Sequence, residues 1–319
     1  MTAHNPLHAN GKNPWVLLLA LTAISIGGML FIGQVLALVS VLMMSGVGMD
    51  QLPEILSNPT AYPEQRFTIL TMQGMASLGG FIIAPLIFYF TLVKGNLLKD
   101  FIDFPPNVLN AILLIITMVF SFMVVNTVFI EWNASISLPE SLAGLERWAE
   151  NMEESMEELT KYLTNFESTG YLIAAIIVIA VLPGIGEELL FRGFLQNLLK
   201  RIFKNDHVAI WVAAALFSAI HFQFYGFIPR MLLGALFGYL YVWSGNLLYP
   251  IIAHFVNNCV SLIALYVYQK GLTDIDVEST EALPTMYIII FSALFVVTLI
   301  YFKNYLAKSS AHEGLERRI

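Results

Sequence analysis

Eight stretches of apolar residues, separated by polar segments, dominate the sequence. They cover roughly residues 15–45, 66–93, 107–131, 169–199, 207–222, 229–245, 247–268 and 285–303. A helix needs about 20 residues, at about 1.5 Å each, to cross the hydrocarbon core of a bilayer. The fifth and sixth stretches are short, and we expect them to be tilted or partly re-entrant. The pattern predicts an all-α, polytopic transmembrane helical bundle with about eight spans.

The composition agrees with a lipid environment. Hydrophobic residues make up 57% of the chain and charged residues only 12%, which leaves too much apolar surface for a soluble domain to cover. Basic residues are few and scattered, so we expect no nucleic-acid partner. No small-residue cleavage site follows the first apolar stretch, which is therefore interpreted as a retained helix. The single cysteine, Cys259, excludes an intrachain disulfide.

The distribution of Lys and Arg orients the bundle. If the N-terminus lies inside and the spans alternate, the inner segments hold ten Lys and Arg residues and the outer segments five, with Arg192 inside a span. Positively charged loops stay on the cytoplasmic side. We therefore expect both the N- and the C-terminus in the cytoplasm. The location predicted is a multi-pass position in a bacterial cytoplasmic membrane.

The chain divides into four regions. Residues 1–131 form an N-terminal region of three spans, and residues 132–168 form an acidic loop with eight glutamates. Residues 169–268 contain spans four to seven, and residues 269–319 contain the last span and a cytoplasmic tail. Apolar residues in the loop recur at intervals of three and four, which predicts an amphipathic helix outside the membrane. The loop is either a lid or, the interpretation we favour, a solvated connector.

The fourth span contains three charged residues, although one charge at a helix centre already costs about 2.5–3.5 kcal/mol. Glu188 and Arg192 are four residues apart and share one helix face. Glu187 lies about 100° around the helix and has no local cation. A desolvated carboxylate of this kind is suited to exchanging protons with water. Residues 183–186 contain a proline and two glycines, which predict a break or kink, so a structural ion pair at a kink is the alternative.

Two further spans carry polar residues at regular spacing. Phe217 and His221 end the fifth span, and His254 and Asn258 lie four residues apart in the seventh. Each residue alone is more typical of a hydrogen bond between helices. Together with the glutamate pair they supply a base, a second base or ligand, and polarising donors. These are the groups that hydrolysis of an amide requires.

The order Glu-Glu-x-x-x-Arg, Phe-x-x-x-His, His-x-x-x-Asn resembles the CPBP family. This family contains CAAX prenyl endopeptidases of the Ras-converting type and bacterial relatives of the Abi and lysostaphin-resistance types. The resemblance covers roughly residues 165–268, and it implies an eight-helix intramembrane endopeptidase. By carry-over, Glu187 and His221 would activate water, and His254 and Asn258 would stabilise the oxyanion. Glu188 and Arg192, with Phe217, would support the site.

Metal dependence stays open at this point. Glu187, His221 and His254 could hold Zn²⁺ with an open position for water. No His-Glu-x-x-His motif favours zinc, and the resemblance favours a glutamate mechanism without a cofactor. The depths of Glu187 and His221 in the membrane raise a difficulty, because they do not coincide. Straight helices place Glu187 about 27 Å from the outer start of its span and His221 about 21 Å from the inner start of its own.

Other functions remain as alternatives. The same buried polar groups could serve an ion-coupled transporter, or the protein could be a non-catalytic immunity or interaction protein. The expected partners are membrane lipid and a peptide or lipidated protein substrate. Arg230 could hold a substrate carboxylate, but an interfacial anchor whose charge reaches water is favoured. Gly234 and Gly238 form a small-xxx-small face that predicts close packing of helices.

Overall fold

The structure, a computed structural model, describes Leu7, residues 11–44, Gly48, and residues 50–102 and 108–316. Within these ranges the chain is helical and contains no β-strand. The helices are α1 (Pro14–Met43), α2 (Leu52–Ser57), α3 (Pro63–Val93), α4 (Leu97–Phe101), α5 (Val108–Ala134), α6 (Ala143–Leu163), α7 (Thr169–Phe203), α8 (Asp206–Ala219), α9 (Phe227–Ser244), α10 (Leu248–Gln269) and α11 (Thr285–Glu316). Short 3₁₀ turns lie at Pro59–Ala61, Pro63–Gln65 and Glu140–Leu142.

Seven helices of the described chain are long and apolar enough to cross a membrane. They are α1, α3, α5, α7, α9, α10 and the Thr285–Tyr305 part of α11. The remaining predicted stretch, the fifth, corresponds to α8, which is apolar but has only 14 residues and is about 20 Å long. The predicted all-α, polytopic bundle is therefore confirmed, and the predicted number of about eight spans is close to the seven long helices.

Helix α7 does not break at residues 183–186 as the sequence suggested. It runs continuously through 35 residues, and two π-helical segments, Ile176–Val181 and Leu189–Leu195, flank the turns that carry the glutamates. Pro183 lies directly after the first of these segments, at the second position of the α-helical part. Because a π segment changes the local pattern of backbone hydrogen bonds, the helix accommodates a residue that has no N–H.

The short helix α8 lies directly against α9. A Cβ atom added to Gly234 would lie 3.3 Å from the Cα of Ala214, and one added to Gly238 would lie 2.9 Å from the Cγ2 of Ile210. The predicted close packing at these two glycines is confirmed. Since residue numbers rise along α9 as they fall along α8, the two helices are antiparallel.

The acidic loop contains the predicted amphipathic helix, α6. Its last turn is buried, and the hydroxyl of Tyr162 donates a hydrogen bond of 2.8 Å to the carbonyl of Tyr62, before α3. At the other end of α6, Leu142, Leu145 and Trp148 are 45%, 51% and 52% exposed. Helix α6 is therefore anchored at one end to the bundle, and its other end presents apolar side chains that the described chain does not cover. We call the end of the bundle next to α6 the outer end, after the predicted orientation.

Candidate active site

The turn between α7 and α8 brings the two halves of the predicted site to one level. Only Lys204 and Asn205 connect Phe203, the last residue of α7, to Asp206, the first residue of α8. Measured from this turn at about 1.5 Å per residue, Glu187 is about 24 Å along α7, and the end of α8, two residues before His221, is about 20 Å along α8. The difference in depth between Glu187 and His221 that the sequence predicted disappears when both residues are counted from this turn. The prediction differed because α7 is longer than the bilayer core.

A buried ion pair supports the site. Glu188 is fully buried, and its Oε1 accepts a hydrogen bond of 2.6 Å from Nη1 of Arg192. The same oxygen lies 2.8 Å from Nδ1 of His254, on α10. Because an ionised carboxylate can only accept, the proton between them belongs to Nδ1 of His254. Glu188 therefore fixes both a cation of its own helix and the orientation of a histidine from another helix.

The second carboxylate, Glu187, has a different environment. It is 8% exposed, and its Oε2 lies 3.9 Å from Nε2 of His254. That oxygen has no hydrogen-bond partner within the part of the chain that the structure describes. His254 thus lies between the two glutamates, with one ring nitrogen on Glu188 and the other directed at Glu187.

Charge limits the protonation of this cluster. Two ionised glutamates and Arg192 together carry one net negative charge. A single proton, on either Glu187 or His254, makes the cluster neutral, and burial disfavours every charged alternative. The group is therefore suited to holding one exchangeable proton at the side of Glu187.

Aromatic rings enclose the charged groups. The Cζ atom of Arg192 lies 4.7 Å from the ring centroid of Phe217 and 5.4 Å from that of Phe237. The ring of His254 stacks on Phe237 at 5.3 Å. Arg192 also donates a hydrogen bond of 2.9 Å to the carbonyl of Gly234, where the absent side chain lets α9 approach. Rings on both sides exclude water and strengthen the electrostatic contacts inside.

Phe217 connects the two predicted histidines. Its ring centroid lies 5.1 Å from that of His221 and 5.9 Å from that of His254. Nδ1 of His221 lies 2.8 Å from the carbonyl of Phe217, so Nδ1 donates there and Nε2 is left as an acceptor. No hydrogen bond joins His221 to Glu187 among the described residues, and the contact that links His221 to His254 is the ring of Phe217.

Asn258 has a structural contact that the sequence analysis did not include. Its Nδ2 donates a hydrogen bond of 2.9 Å to the carbonyl of Ile179. That carbonyl is four residues before Pro183, which has no N–H to offer it. The Oδ1 of Asn258 accepts from Asn257 at 3.1 Å. Asn258 therefore stabilises α7 next to the glutamates and has one N–H left for another acceptor.

The residues considered for zinc do not form a ligand set. The described chain contains no group of three His, Cys, Asp or Glu side chains arranged to hold a metal ion. In the described chain, Glu187, His221 and His254 are therefore not arranged as a set of three metal ligands, and no step of the chemistry below involves a metal.

Arg230 belongs to this region, although the sequence favoured an anchor whose charge reaches water. Its Nη2 donates a hydrogen bond of 2.5 Å to Oε1 of Gln223, while its Nη1 is buried. Its positive charge acts on both Glu187 and His221. The burial of Nη1 differs from what an anchor whose charge reaches water would show. Sequence alone could not show this burial, since it depends on the loop between α8 and α9.

Residues 169–260, which include all of the site residues described above, match the family model described as type II CAAX prenyl endopeptidase Rce1-like. This segment is therefore similar to an Rce1-like domain. The predicted resemblance to CPBP intramembrane proteases is confirmed at this level.

A curated relative also matches part of the chain. The uncharacterized protein YpbD of Bacillus subtilis (strain 168) is 36% identical over 92 residues, which are 28% of this chain and 44% of the relative. The chain thus spans less than half the length of this relative. No solved structure matches the chain. The similarity to Rce1-like domains and the seven long apolar helices of the described chain support a multi-pass membrane protein.

Proposed function

We propose that the protein is an intramembrane endopeptidase of the glutamate type, which hydrolyses a peptide bond near the membrane. The observation that carries the proposal is the position of His254 between two buried glutamates, of which Glu188 is paired with Arg192 and Glu187 accepts no hydrogen bond from a described residue. An ion pair that served stability alone would not need a second, unpaired carboxylate at this depth. A general base does need one.

Glu187 acts as the base in this proposal. It accepts one proton from a water molecule as the water oxygen bonds to the carbonyl carbon of the substrate. When the C–N bond breaks, Glu187 returns that proton to the leaving amine. The Nε2 of His221 accepts a hydrogen bond from the same water and orients it. The proton that Glu187 gains from water is matched by the negative charge of the substrate oxyanion, so the net charge of the site and substrate together does not change.

The oxyanion of the tetrahedral intermediate needs donors. Asn258 has one amide N–H besides the one that it donates to Ile179. His254 supplies a second donor through Nε2 whenever the shared proton is on its ring. Donors fixed in a site without water stabilise developing charge strongly, and removal of one typically lowers kcat about 100- to 1,000-fold. Glu188, Arg192 and Phe217 hold His254 in place.

The expected substrate is a peptide or a lipidated protein segment that reaches the site from the membrane of a bacterial cell. The test compares purified wild type, Glu187→Gln and His221→Ala in lipid nanodiscs with a membrane-anchored peptide library. Both variants should lose at least about 100-fold in kcat/KM. Glu158→Gln on the exposed face of α6 is the matched control and should cleave normally. Equal cleavage by wild type and Glu187→Gln contradicts the proposal.

Metal removal provides a second test. A glutamate mechanism predicts that the purified enzyme keeps its activity after dialysis against EDTA, with less than stoichiometric zinc by elemental analysis. Stoichiometric zinc whose removal abolishes turnover would contradict the glutamate type while leaving the endopeptidase intact.

A further inference from the structure

Glu153 links the acidic helix α6 to the loop that carries His221. Its Oε2 accepts a hydrogen bond of 3.0 Å from the backbone N–H of Tyr225, in the loop from Ile220 to Gly226. Glu153 lies outside the segment that matches the family model, so the similarity to Rce1-like domains assigns it no role. It is half-buried, whereas its neighbour Glu154 is exposed. Partial burial of a carboxylate costs free energy, so this contact needs a reason.

The loop has to be held in place, because its backbone is strained directly beside His221. Phe222 has a φ of 54°, in the left-handed region that a bulky residue rarely adopts. The residue is 59% exposed, so packing of its ring within the described chain does not offset the strain. Strained residues of this kind persist where surrounding contacts fix them, and they concentrate at functional sites. The contacts of the neighbouring loop residues therefore help to keep His221 in its position.

Two side chains from different helices hold the part of the loop that follows Phe222. Asn133 of α5 donates a hydrogen bond of 3.1 Å to the carbonyl of Phe224 and accepts one of 2.7 Å from the N–H of Ile228. Glu153 binds Tyr225, which lies between these two positions. The acceptor on Asn133 is neutral, whereas the acceptor on Glu153 is an ionised carboxylate. Because charge-assisted hydrogen bonds are stronger, Glu153 contributes more than its single contact suggests.

The charge of Glu153 also acts on the site. Gln223, in the same loop, accepts a hydrogen bond of 2.5 Å from Nη2 of Arg230, whose Nη1 is buried. The negative charges of Glu153 and Glu187 both act on Arg230, and the charge of Arg230 acts on His221. Glu187 is the proposed base, so its charge changes during the reaction. Glu153 therefore supplies the constant negative charge that offsets this cation.

We propose that Glu153 is a positioning residue, which holds the loop from Ile220 to Gly226 so that His221 keeps its place beside the glutamates. This rests on the proposed function and adds a segment to the site, because α6 becomes part of the working enzyme and not only a connector between spans. In this role Glu153 acts through the N–H of Tyr225 and through its charge, and it does not touch the substrate.

Amide hydrogen exchange of the full-length protein in lipid nanodiscs tests the contact without a substrate. In wild type, the amide of Tyr225 should be protected although it lies in a loop. In Glu153→Ala it should exchange about 10- to 100-fold faster, because a hydrogen bond to a charged group is lost. Glu153→Gln, which keeps an acceptor oxygen without the charge, should lie in between. Glu154→Ala, on the exposed face of α6, is the matched control and should exchange like wild type.

Turnover separates positioning from a purely structural role. At a temperature at which every variant is folded, kcat of Glu153→Ala should fall about 10- to 100-fold while KM changes little, because small displacements of groups at a site lower the rate strongly. Glu153→Gln should recover part of this loss, and Glu154→Ala should turn over like wild type. A structural role alone would lower the melting temperature and leave kcat of the folded protein unchanged.

Three results would overturn the proposal. They are a wild-type Tyr225 amide that exchanges as fast as an unstructured peptide, equal exchange in Glu153→Ala and Glu154→Ala, and a normal kcat in Glu153→Ala when its loop exchanges faster. The first result needs no variant, so a variant that fails to fold does not prevent the test. If wild type cleaves no peptide, the proposed function fails, whereas the exchange comparison still decides whether Glu153 holds the loop.

Discussion

Glu187 and Glu188 are neighbours in sequence, but they have different surroundings, and this difference predicts different effects on stability. Glu188→Gln removes the charge that pairs with Arg192 and orients His254, and it leaves a buried cation uncompensated. Breaking a buried pair in this way costs about 3–5 kcal/mol. Glu187→Gln removes a buried charge from a side chain whose Oε2 accepts no hydrogen bond from a described residue. The stability of the protein should therefore stay the same or rise.

Thermal unfolding of the two variants in detergent tests this prediction, with wild type as the reference. The melting temperature of Glu188→Gln should fall by several degrees, while that of Glu187→Gln should not fall. A larger loss for Glu187→Gln would show that the structural and reactive carboxylates have been assigned in the wrong order.

For single residues, spacing along the sequence was sufficient to predict some contacts of the site but not others. The ion pair of Glu188 and Arg192 could be predicted, because residues four positions apart in a helix lie on the same face. The contact of Glu188 with His254 joins residues 66 positions apart, and the contact of Asn258 with Ile179 joins residues 79 positions apart. The site residues could be named from their motifs, but which oxygen faces which nitrogen depends on the packing of α7 against α10.

At the scale of helices, α1 and α3 approach each other closely at glycines of both helices, and this predicts an effect on stability that has its own control. A Cβ on Gly79 would overlap the backbone of Gly33, whose own added Cβ would lie 2.8 Å from the carbonyl oxygen of Ala76. Gly79→Ala must separate the helices and should destabilise the protein by about 1–3 kcal/mol. Gly27→Ala, with nothing within 4 Å of the added carbon, should be neutral or slightly stabilising.

Thermal unfolding and yield from the membrane would compare the two alanine variants. Equal stability of Gly79→Ala and Gly27→Ala would mean that α1 and α3 are not in backbone contact. The pair is well matched, because both glycines lie inside apolar helices and both gain the same methyl group.

Hydropathy predicted most of the helices because lipid imposes length and apolarity on each span. It could not predict the two π-helical segments of α7, since they change the hydrogen-bond pattern without changing the composition. Hydropathy also could not fix the depths of Glu187 and His221 in the membrane, because α7 has 35 residues, more than a helix needs to cross the bilayer. The break expected at residues 183–186 does not occur, because the helix accommodates Pro183 and continues.

At the scale of the whole molecule, the question is whether the short helix α8 completes a crossing. Its 14 residues span about 20 Å of a core of about 30 Å. The remaining distance is covered by the loop from Ile220 to Gly226, which contains His221 and is held by hydrogen bonds from α5, α6 and α8. Irregular backbone at membrane depth is tolerated where protein surrounds it. Because α8 is antiparallel to α9, we expect the chain to cross the membrane at this point.

The number of membrane crossings determines on which side of the membrane each loop lies, and cysteine labelling measures these sides directly. In a Cys259→Ser background, single cysteines would replace the exposed Lys99 in α4, Ser155 in α6 and Ser279 between α10 and α11. Four helices, α7 to α10, separate Ser155 from Ser279, so a complete crossing by α8 places both on the same side. An impermeant maleimide should label Ser155→Cys and Ser279→Cys in intact cells, and Lys99→Cys only after lysis. Labelling of one but not the other of the two serine positions would show that α8 does not cross, and labelling of Lys99→Cys alone would reverse the orientation.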